Sequence, residues 1–306
     1  MIIQVHRVHS FTDSGTGGNP AGVVLDADAL DSAARQNIAA ALGWSETAFV
    51  SRSDKANVRL EFYTPNRQIA HCGHATVATF GLLRALGRVG EGVLHKDTVD
   101  GLREIRIEGE SVFMGQHAPI FEPKPGLTPH LASLLDLPLS AFDHAGVPTI
   151  VSTGTRFLQV GPLDAEFLAH ARPDQAGIEA LSEELDLIGL YVHARGTNVP
   201  GRTASTRMFA PRFGIPEESA TGMAAGGLAS LLHERGEIEG SELVIEQGRL
   251  MRPVSPSELR VRLELQDRKL TRVFVGGKVR VESVHRVVRE PNGQWRDLGI
   301  AVETAA

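Results

Sequence analysis

Hydrophobic and polar residues alternate over several short segments near the start of the chain. Residues 1–8 have this pattern, the glycine-rich segment 15–20 predicts a turn, and the apolar segment 21–25 after it predicts a second strand. The same criteria predict strands at 47–50 and 60–63. We therefore expect the first part of the chain to be rich in β-structure.

Two further segments of this region have the character of helices. From Asp31 to Leu42 apolar residues recur at helical spacing, and Asp31 and Gly43 are residue types that begin and end helices. From Gly73 to Leu86 the chain is apolar almost all round, which is typical of a helix enclosed on several sides. We expect this second helix to lie inside the fold.

The rest of the chain continues this mixture of strands and helices. A polar helix is predicted at 178–185. Alternating runs predict strands at 104–108 and 111–114, and further strands are predicted at 149–151, 157–160, 190–193, 243–246, 259–265 and 279–284. The proline-rich segment 119–125 is the best candidate for a linker. It divides the chain into an N-terminal lobe, 1–122, and a C-terminal lobe, 123–306, with the strand 285–306 as a candidate to return to the first lobe.

A short pattern of residues occurs once in each half of the chain. The sequence FYTP at 62–65 precedes Gly73, and the sequence MFAP at 208–211 precedes Gly222. Each glycine is followed by an apolar segment with a pair of leucines at the same distance. A chance match is the alternative, because glycine, alanine and leucine are common. The repeat favours two similar lobes, each with a strand, a loop and a buried central helix.

Two related lobes of this kind would bring the N-termini of their central helices to face one another across a cleft. Helix N-termini offer backbone N–H groups and the positive end of the helix dipole to an anion. Clefts between domains are also common places for ligand sites. We therefore expect an active site in the cleft between the lobes and a small-molecule carboxylate as its substrate.

Composition and charge limit the classes of partner. Of the 306 residues, 42% are hydrophobic and 22% are charged, as in ordinary globular proteins. The net charge of -6 and the scattered basic residues argue against nucleic acid and acidic membranes as partners. Cys72 is the single cysteine, and the sequence has neither a signal-peptide pattern nor an apolar stretch of membrane-spanning length. These features predict a soluble cytoplasmic protein.

Glu46 is the first candidate for chemistry, because it lies where a predicted helix has ended and a predicted strand begins. Apolar residues follow it, so its carboxyl group could be partly removed from water. Desolvation raises the pKa of a carboxyl group toward neutrality, which suits a group that takes and returns a proton. The alternative is a glutamate that faces solvent at a strand edge.

The sequence HCGH at 71–74 places three potential metal ligands close together. No second cluster with ligand spacing accompanies it, so we expect no metal. At a helix N-terminus the dipole would lower the pKa of His74 and favour a neutral imidazole, although a structural His74 that caps the helix is an equal alternative. Cys72 is a candidate thiol for acid–base or nucleophilic work, or a buried structural cysteine. A two-thiol racemase needs a second cysteine, and the matching position holds Thr221.

The glycine-rich loop at 15–18 has neither the Gly-Lys-Ser/Thr ending of a P-loop nor the spacing of a dinucleotide fingerprint. It therefore gives no support for nucleotide binding.

Glu217 and Glu218 precede the second repeat glycine. They are either a pair of anions at a helix start or, for Glu218, a carboxylate opposite His74 in the cleft.

Four motifs give the chain a resemblance to a known family. They are GNPAGVV at 18–24, SETAFV at 45–50, TP at 64–65 with CGHAT at 72–76, and RMFAP at 207–211 with ATG at 220–222. In this order they resemble the PhzF-like (phenazine-biosynthesis-like) proteins, and weaker similarity at 152–155 and 247–249 extends the match. The resemblance implies an α+β, diaminopimelate-epimerase-like fold. In this fold two pseudo-symmetric lobes each wrap a mostly antiparallel, barrel-like sheet around a central helix.

The resemblance also implies roles for particular residues. Glu46 matches the proton carrier of a cofactor-independent isomerase, and His74 and Glu218 match its assisting groups. The expected substrate-binding residues, which adjoin these groups in the matching motifs, are Asn19, Cys72, Gly73, Thr221, Gly222 and Met223. Such proteins are commonly homodimers, and we expect one here.

Four positions depart from the pattern of the family. Glu218 stands where an aspartate is usual, Ser219 replaces a proline, and Met223 replaces a small polar residue. Gln68 replaces an acid. Because the loss of a hydrogen-bonding group changes which substrates a site accepts, we expect a substrate other than the phenazine precursor.

The sequence as a whole predicts a proton-transfer isomerase or epimerase that acts on a small carboxylate without a cofactor. The alternative is a non-catalytic small-molecule-binding or interaction protein that keeps the fold, which Met223 and Ser219 favour. A third hypothesis, a metal-dependent hydrolase built on His71 and His74, requires stoichiometric metal.

Overall fold

The computed structural model describes residues 1–99, 101–195, 197, 199–267 and 269–303. The α-helices are α1 Ser32–Leu42, α2 Gly73–Ala85, α3 Thr128–Leu134, α4 Ala165–His170, α5 Gln175–Glu184 and α6 Gly222–Glu234. The first strands are β1 Ile2–Thr12, β2 Asn19–Val24, β3 Thr47–Ser51, β4 Val58–Tyr63, β5 Gln68–Ile69, β6 Gly92–Thr98, β7 Gly101–Glu108, β8 Ser111–Gln116 and β9 Ile120–Pro123. The others are β10 Thr149–Ser152, β11 Arg156–Leu163, β12 Gly189–Arg195, β13 Ala204–Ala210, β14 Ile215–Glu218, β15 Glu242–Gln247, β16 Ser257–Gln266, β17 Lys269–Arg289 and β18 Trp295–Glu303.

The chain divides into two compact units. The first unit contains Met1–Met114 and the chain from Gly276 onward, and the second contains Gly115–Val275. The division therefore falls within β8 and β17. The sequence-based boundary between residues 122 and 123 lies a little further along the chain, in a segment where β9 pairs with β10.

The strands of the first unit pair into a closed ring. β1 pairs antiparallel with β2 and with β17, β2 runs parallel to β3, and β3 pairs antiparallel with β4. β4 runs parallel to β6, the β6–β7 and β7–β8 pairs are antiparallel, and β8 pairs with β17. At Gly276 in β17 a Cβ atom would lie 2.2 Å from the carbonyl oxygen of Val112 in β8. Only glycine therefore allows these two strands to approach one another so closely.

α2 is the central helix of this unit. It contacts β1, β2 and β3, and Gly81 in its second half approaches Val279 of β17 so closely that a Cβ would lie 2.5 Å from that side chain. Its residues from His74 to Phe80 are all buried. The prediction of an enclosed helix over this segment is confirmed, and the reason is that strands of the ring surround it.

α1 lies on another face of the same unit, against β18 and β4. The Asp31 side chain accepts a hydrogen bond from the Ala34 amide at 2.7 Å, and Gly43 ends the helix with φ of 65°. Both predicted helix ends are confirmed. Because Gly43 reverses the chain, the next residues lead directly into β3.

The second unit has its own sheet and central helix. β9, β10 and β11 pair antiparallel, β11 runs parallel to β12, and β12 pairs antiparallel with β13. β13 runs parallel to β15, which pairs antiparallel with β16. α6 lies against β10, β11 and β16 and is buried along most of its length. α3, α4 and α5 contribute to a separate apolar cluster that includes Leu131, Leu168 and Ile178.

The sequence repeat corresponds to a structural repeat. α2 and α6 begin at the repeat glycines and have 13 residues each. In the first unit β4 pairs antiparallel with the short β5 before α2, and in the second β13 pairs antiparallel with the short β14 before α6. Within the described part of the chain, no helix has both the length and the apolar character needed to cross a membrane.

Candidate active site

Glu46 lies in the short connection between α1 and β3. Its backbone carbonyl accepts a hydrogen bond from the Gly22 amide at 2.9 Å, which joins the connection to β2. Gly22 has no room for a side chain, because a Cβ would lie 2.9 Å from both Trp44 and Thr47. The Glu46 residue is only 7% exposed, so the alternative of a solvent-facing glutamate is wrong.

Cys72 and His74 lie at the start of α2. Cys72 occupies the N-cap position and His74 is the second helical residue, with Gly73 between them, and both side chains are buried. The Cys72 carbonyl accepts hydrogen bonds from the Thr76 amide at 3.2 Å and the Thr76 hydroxyl at 2.6 Å. The ammonium group of Lys96, which is fully buried, donates to the same hydroxyl at 2.7 Å. These bonds hold the first turn in place.

The fold brings Glu46, Cys72 and His74 together in the first unit. The Glu46 Oε2 and His74 Nε2 atoms are 3.2 Å apart. The Cys72 Sγ lies 3.6 Å from Nδ1 and 3.9 Å from Nε2 of the same imidazole. His74 therefore contacts a carboxylate and a thiol at once. Asn19 begins β2, opposite Ser10.

The charges of this cluster differ from the sequence-based expectation. Burial alone would raise the pKa of Glu46, but the adjacent His74 cation, together with Ser45, outweighs burial and lowers it. Burial alone would also lower the pKa of His74, but Cys72 and Glu46 raise it well above its usual value. The expectation of a neutral His74 imidazole is therefore wrong, because it considered the helix dipole but not the contacts of the ring with Cys72 and Glu46. For Glu46 the sequence left the direction of the pKa shift open, and the contact with His74 decides it.

The same three side chains are the group most suited to hold a metal ion among the described residues. Their donor atoms lie within 4.8 Å of one another. The carboxylate and the imidazole of this group are at ion-pair distance from one another. His71, which the hydrolase hypothesis requires, is not part of this group.

The second unit brings together the other predicted residues at the start of α6. Thr221 is the N-cap residue, and its hydroxyl donates a hydrogen bond to the Glu218 carboxylate at the end of β14. The Gly222 carbonyl accepts from Gln116 at 2.9 Å, and the Met223 carbonyl accepts from the Thr153 hydroxyl at 3.4 Å. Both glutamates of the pair 217–218 lie on a strand, not in the helix.

Glu217 and Glu218 have different environments. The Glu217 carboxylate makes a two-pronged contact with the guanidinium of Arg207, with both distances at 2.8 Å. Arg207 is buried and also donates to two backbone carbonyls near α4. Glu217 therefore has a structural role, and Glu218 is the carboxylate associated with the helix start.

Gln247 has no predicted role in the sequence, but the structure places it in contact with Glu218 and Thr221. Its only signal is its position in the weakly similar segment 247–249 at the end of a predicted strand. Hydrogen-bond partners of this kind come from distant parts of the chain and have no spacing that a sequence pattern could reveal.

Comparison with known proteins adds three findings. A sequence profile of the family described as phenazine biosynthesis-like protein matches residues 8–283. An uncharacterized isomerase of Deinococcus radiodurans is 34% identical over 289 residues, which are 90% of this chain and 92% of that protein. Trans-2,3-dihydro-3-hydroxyanthranilate isomerase of Pseudomonas chlororaphis is 30% identical over 88% of this chain and 94% of its own.

Solved structures agree with this result. A phenazine biosynthesis protein of the PhzF family from Bacillus anthracis superposes with a TM-score of 0.84 at 27% identity, over 94% of this chain and 99% of that one. The predicted α+β, diaminopimelate-epimerase-like fold is confirmed. The resemblance inferred from the four motifs is confirmed as well.

Proposed function

Since the chain belongs to the phenazine biosynthesis-like protein family and is an isomerase, we propose that it shifts a proton between atoms of a small carboxylate-bearing metabolite. The reaction needs no cofactor in this proposal. The observation that carries it is the buried pair of Glu46 and His74, whose Oε2 and Nε2 atoms are 3.2 Å apart.

This pair supplies a base and an acid side by side. The pKa of Glu46 is lowered, so it is a carboxylate that can accept a proton, and the pKa of His74 is raised, so it is an imidazolium that can donate one. Opposite pKa shifts of two neighbouring groups assign the role of base to one and the role of acid to the other. A base and an acid at this distance can remove a proton from one atom of a substrate and deliver one to a neighbouring atom.

The starts of α2 and α6 support the proposal that the substrate carries a carboxylate. Asp31 caps α1 with its side chain, but neither Cys72 nor Thr221 forms a side-chain cap on α2 or α6. The amides of the first turns of these helices are suited to hydrogen bonding with an anion, and the helix dipole favours negative charge there. We assign Gly73 and Gly222 to this role.

The other expected residues complete the proposal. Glu218 assists the proton transfer, and Asn19, Cys72, Thr221 and Met223 bind the substrate. Because Met223 stands where a polar residue is usual, the substrate differs from the dihydrohydroxyanthranilate of the Pseudomonas relative. We further propose a cytoplasmic homodimer, and sedimentation analysis of the purified protein would test the dimer.

The test of the proposed function is solvent exchange. The wild-type protein is incubated in deuterated water with a panel of small amino and hydroxy carboxylates, and deuterium entering a carbon position is measured by mass spectrometry. We expect exchange with at least one class of the panel. If ligands raise the melting temperature but no carbon exchanges, the protein binds metabolites without catalysis and the proposal is wrong.

A further inference from the structure

Gln247 lies at the end of β15 and is almost completely buried. Its Oε1 atom accepts hydrogen bonds from the Thr221 amide at 3.1 Å and from the Tyr191 hydroxyl at 3.0 Å. Its Nε2 atom donates to the Glu218 carbonyl at 2.8 Å and to the Thr221 hydroxyl at 3.1 Å. A primary amide has two N–H donors and two acceptor lone pairs, so every hydrogen-bonding position of this side chain is used.

These partners fix the orientation of the amide. Exchanging its oxygen and nitrogen would set an NH2 group against the Thr221 N–H and an oxygen against the Glu218 carbonyl. Burial raises the pKa of Tyr191, so its hydroxyl stays protonated and remains a donor. Gln247 therefore has one orientation, set by groups on β12, β14 and the N-cap of α6.

The hydrogen bonds run in one direction toward the Glu218 carboxylate. Gln247 donates to the Thr221 hydroxyl, and this hydroxyl in turn donates to Glu218 Oε2. A hydroxyl that already accepts one hydrogen bond is oriented to donate its single proton to the carboxylate. The same amide therefore holds the backbone of Glu218, the N-cap residue and, through that residue, the carboxylate itself.

Gly248 allows this close arrangement. Its φ is +79°, and a Cβ there would lie 2.0 Å from the Ser255 carbonyl oxygen and 2.8 Å from that of Ser219. The chain can turn away at the end of β15 only because residue 248 has no side chain. Gln247 is thereby brought against the segment that follows Glu218.

We propose that Gln247 is a positioning residue that orients Glu218 and Thr221 for proton transfer. The inference rests on the proposed function, because it assigns to Gln247 the alignment of a group that assists that reaction. Gln247 does not touch the reacting atoms in this account. It acts through the carboxylate and the helix start that it holds.

Two substitutions separate this role from simple support of the fold. Gln247→Met keeps the length of the side chain and removes all of its hydrogen bonds, and we expect kcat for deuterium exchange to fall by about 10- to 100-fold, as for a misplaced catalytic group. KM should change far less. Gln247→Glu keeps the acceptors but adds a negative charge near Glu218, so the Glu218 carboxyl should bind protons more tightly.

The pH profile therefore provides a specific readout. The limb of the kcat/KM profile that reports Glu218 is the one that is absent in Glu218→Gln. In Gln247→Glu this limb should move to higher pH by about one unit, because like charges raise a carboxyl pKa. A residue that merely supports the fold would lower activity or stability without moving this limb.

Gln159→Met is the matched control. Gln159 is equally buried, belongs to the same unit and also contacts α6, where its Nε2 atom donates to the Ala224 carbonyl at 3.1 Å. Because this bond goes to the helix backbone beyond its N-cap, we expect the substitution to lower the melting temperature and to leave the pH profile in place.

Amide hydrogen exchange tests the arrangement without using activity. The Thr221 amide should be protected in the wild type and in Gln159→Met, and should lose protection in Gln247→Met because its acceptor is gone. If wild-type protein exchanges no substrate deuterium, the proposed function fails and the catalytic part of this assignment fails with it. If the wild type is active and both Gln247 variants keep its kcat, its pH profile and its Thr221 protection, only the positioning role is wrong.

Discussion

Contacts among buried side chains set the protonation of the central residues. Glu46 and His74 are 28 positions apart in the sequence, and each would have the opposite charge preference if burial acted alone. Together they form an ion pair in which each partner stabilises the charge of the other. The sequence predicted both residues as candidates, but the sign of their pKa shifts depends on a distance that only the fold establishes.

This leads to a prediction for His74. Because its pKa is raised above the usual value of an imidazole, its ring should stay protonated at neutral pH and lose its proton only as pH rises through the higher folded-state pKa. In Glu46→Gln one of the two groups that raise this pKa is replaced by a neutral amide, so the midpoint should move to lower pH. NMR titration of the imidazole nitrogens measures both midpoints.

Cys72→Ser is the companion variant, since the thiol is the other group that raises the pKa of His74. Its imidazole midpoint should also move to lower pH, while a variant of the exposed His95 should leave the His74 midpoint unchanged. A His74 ring that is neutral at pH 7 in the wild-type protein would contradict the ion-pair description.

At the scale of elements, close packing of the central helix determines where the cluster lies. α2 carries Cys72 at its N-cap and His74 in its first turn, and the helix is held against β17 at Gly81. The sequence predicted the helix and its burial from its apolar character. It could not predict that a glycine within the helix is a contact point, because glycine in a helix ordinarily costs stability.

Gly81→Ala should therefore destabilise the protein although alanine favours helices. The new Cβ would lie within 2.7 Å of three atoms of Val279, and relieving this overlap should cost about 1–3 kcal/mol in the free energy of unfolding. Urea denaturation measures this cost. The double variant Gly81→Ala/Val279→Ala should recover part of the loss, whereas Gly90→Ala, which has open space around it, should have little effect. Equal stability of wild type and Gly81→Ala would show that the helix does not pack as described.

At the scale of the whole molecule, the internal repeat was the most informative feature of the sequence. The two glycines that it singled out are the first residues of two buried helices of equal length, and a pair of antiparallel strands precedes each helix. The sequence predicted most of the strands but not their full lengths; β17, for example, was predicted over 279–284 and extends over Lys269–Arg289. β9 was not predicted, because its proline-rich sequence looks like a linker and its pairing with β10 depends on a partner beyond residue 148.

The candidate site was predictable only in part for a related reason. The motifs identified Glu46, His74, Glu218 and their neighbours, because these residues belong to the short segments that carry the family resemblance. Gln247 and Lys96 have no such motif around them and reach the helix starts only through the sheet order of each unit. That the two helix starts serve one substrate stays a prediction.

The most direct test of the account is the transfer of solvent deuterium to a substrate carbon by Glu46→Gln, with His74→Gln and wild type measured in parallel. The amide introduced by Glu46→Gln is close in shape to the carboxylate but cannot accept the proton, so we expect a loss of about 100-fold or more in kcat, within the range for removal of a general base. Bound ligand should still raise the melting temperature. Exchange at the wild-type rate in Glu46→Gln would contradict the central role of this carboxylate.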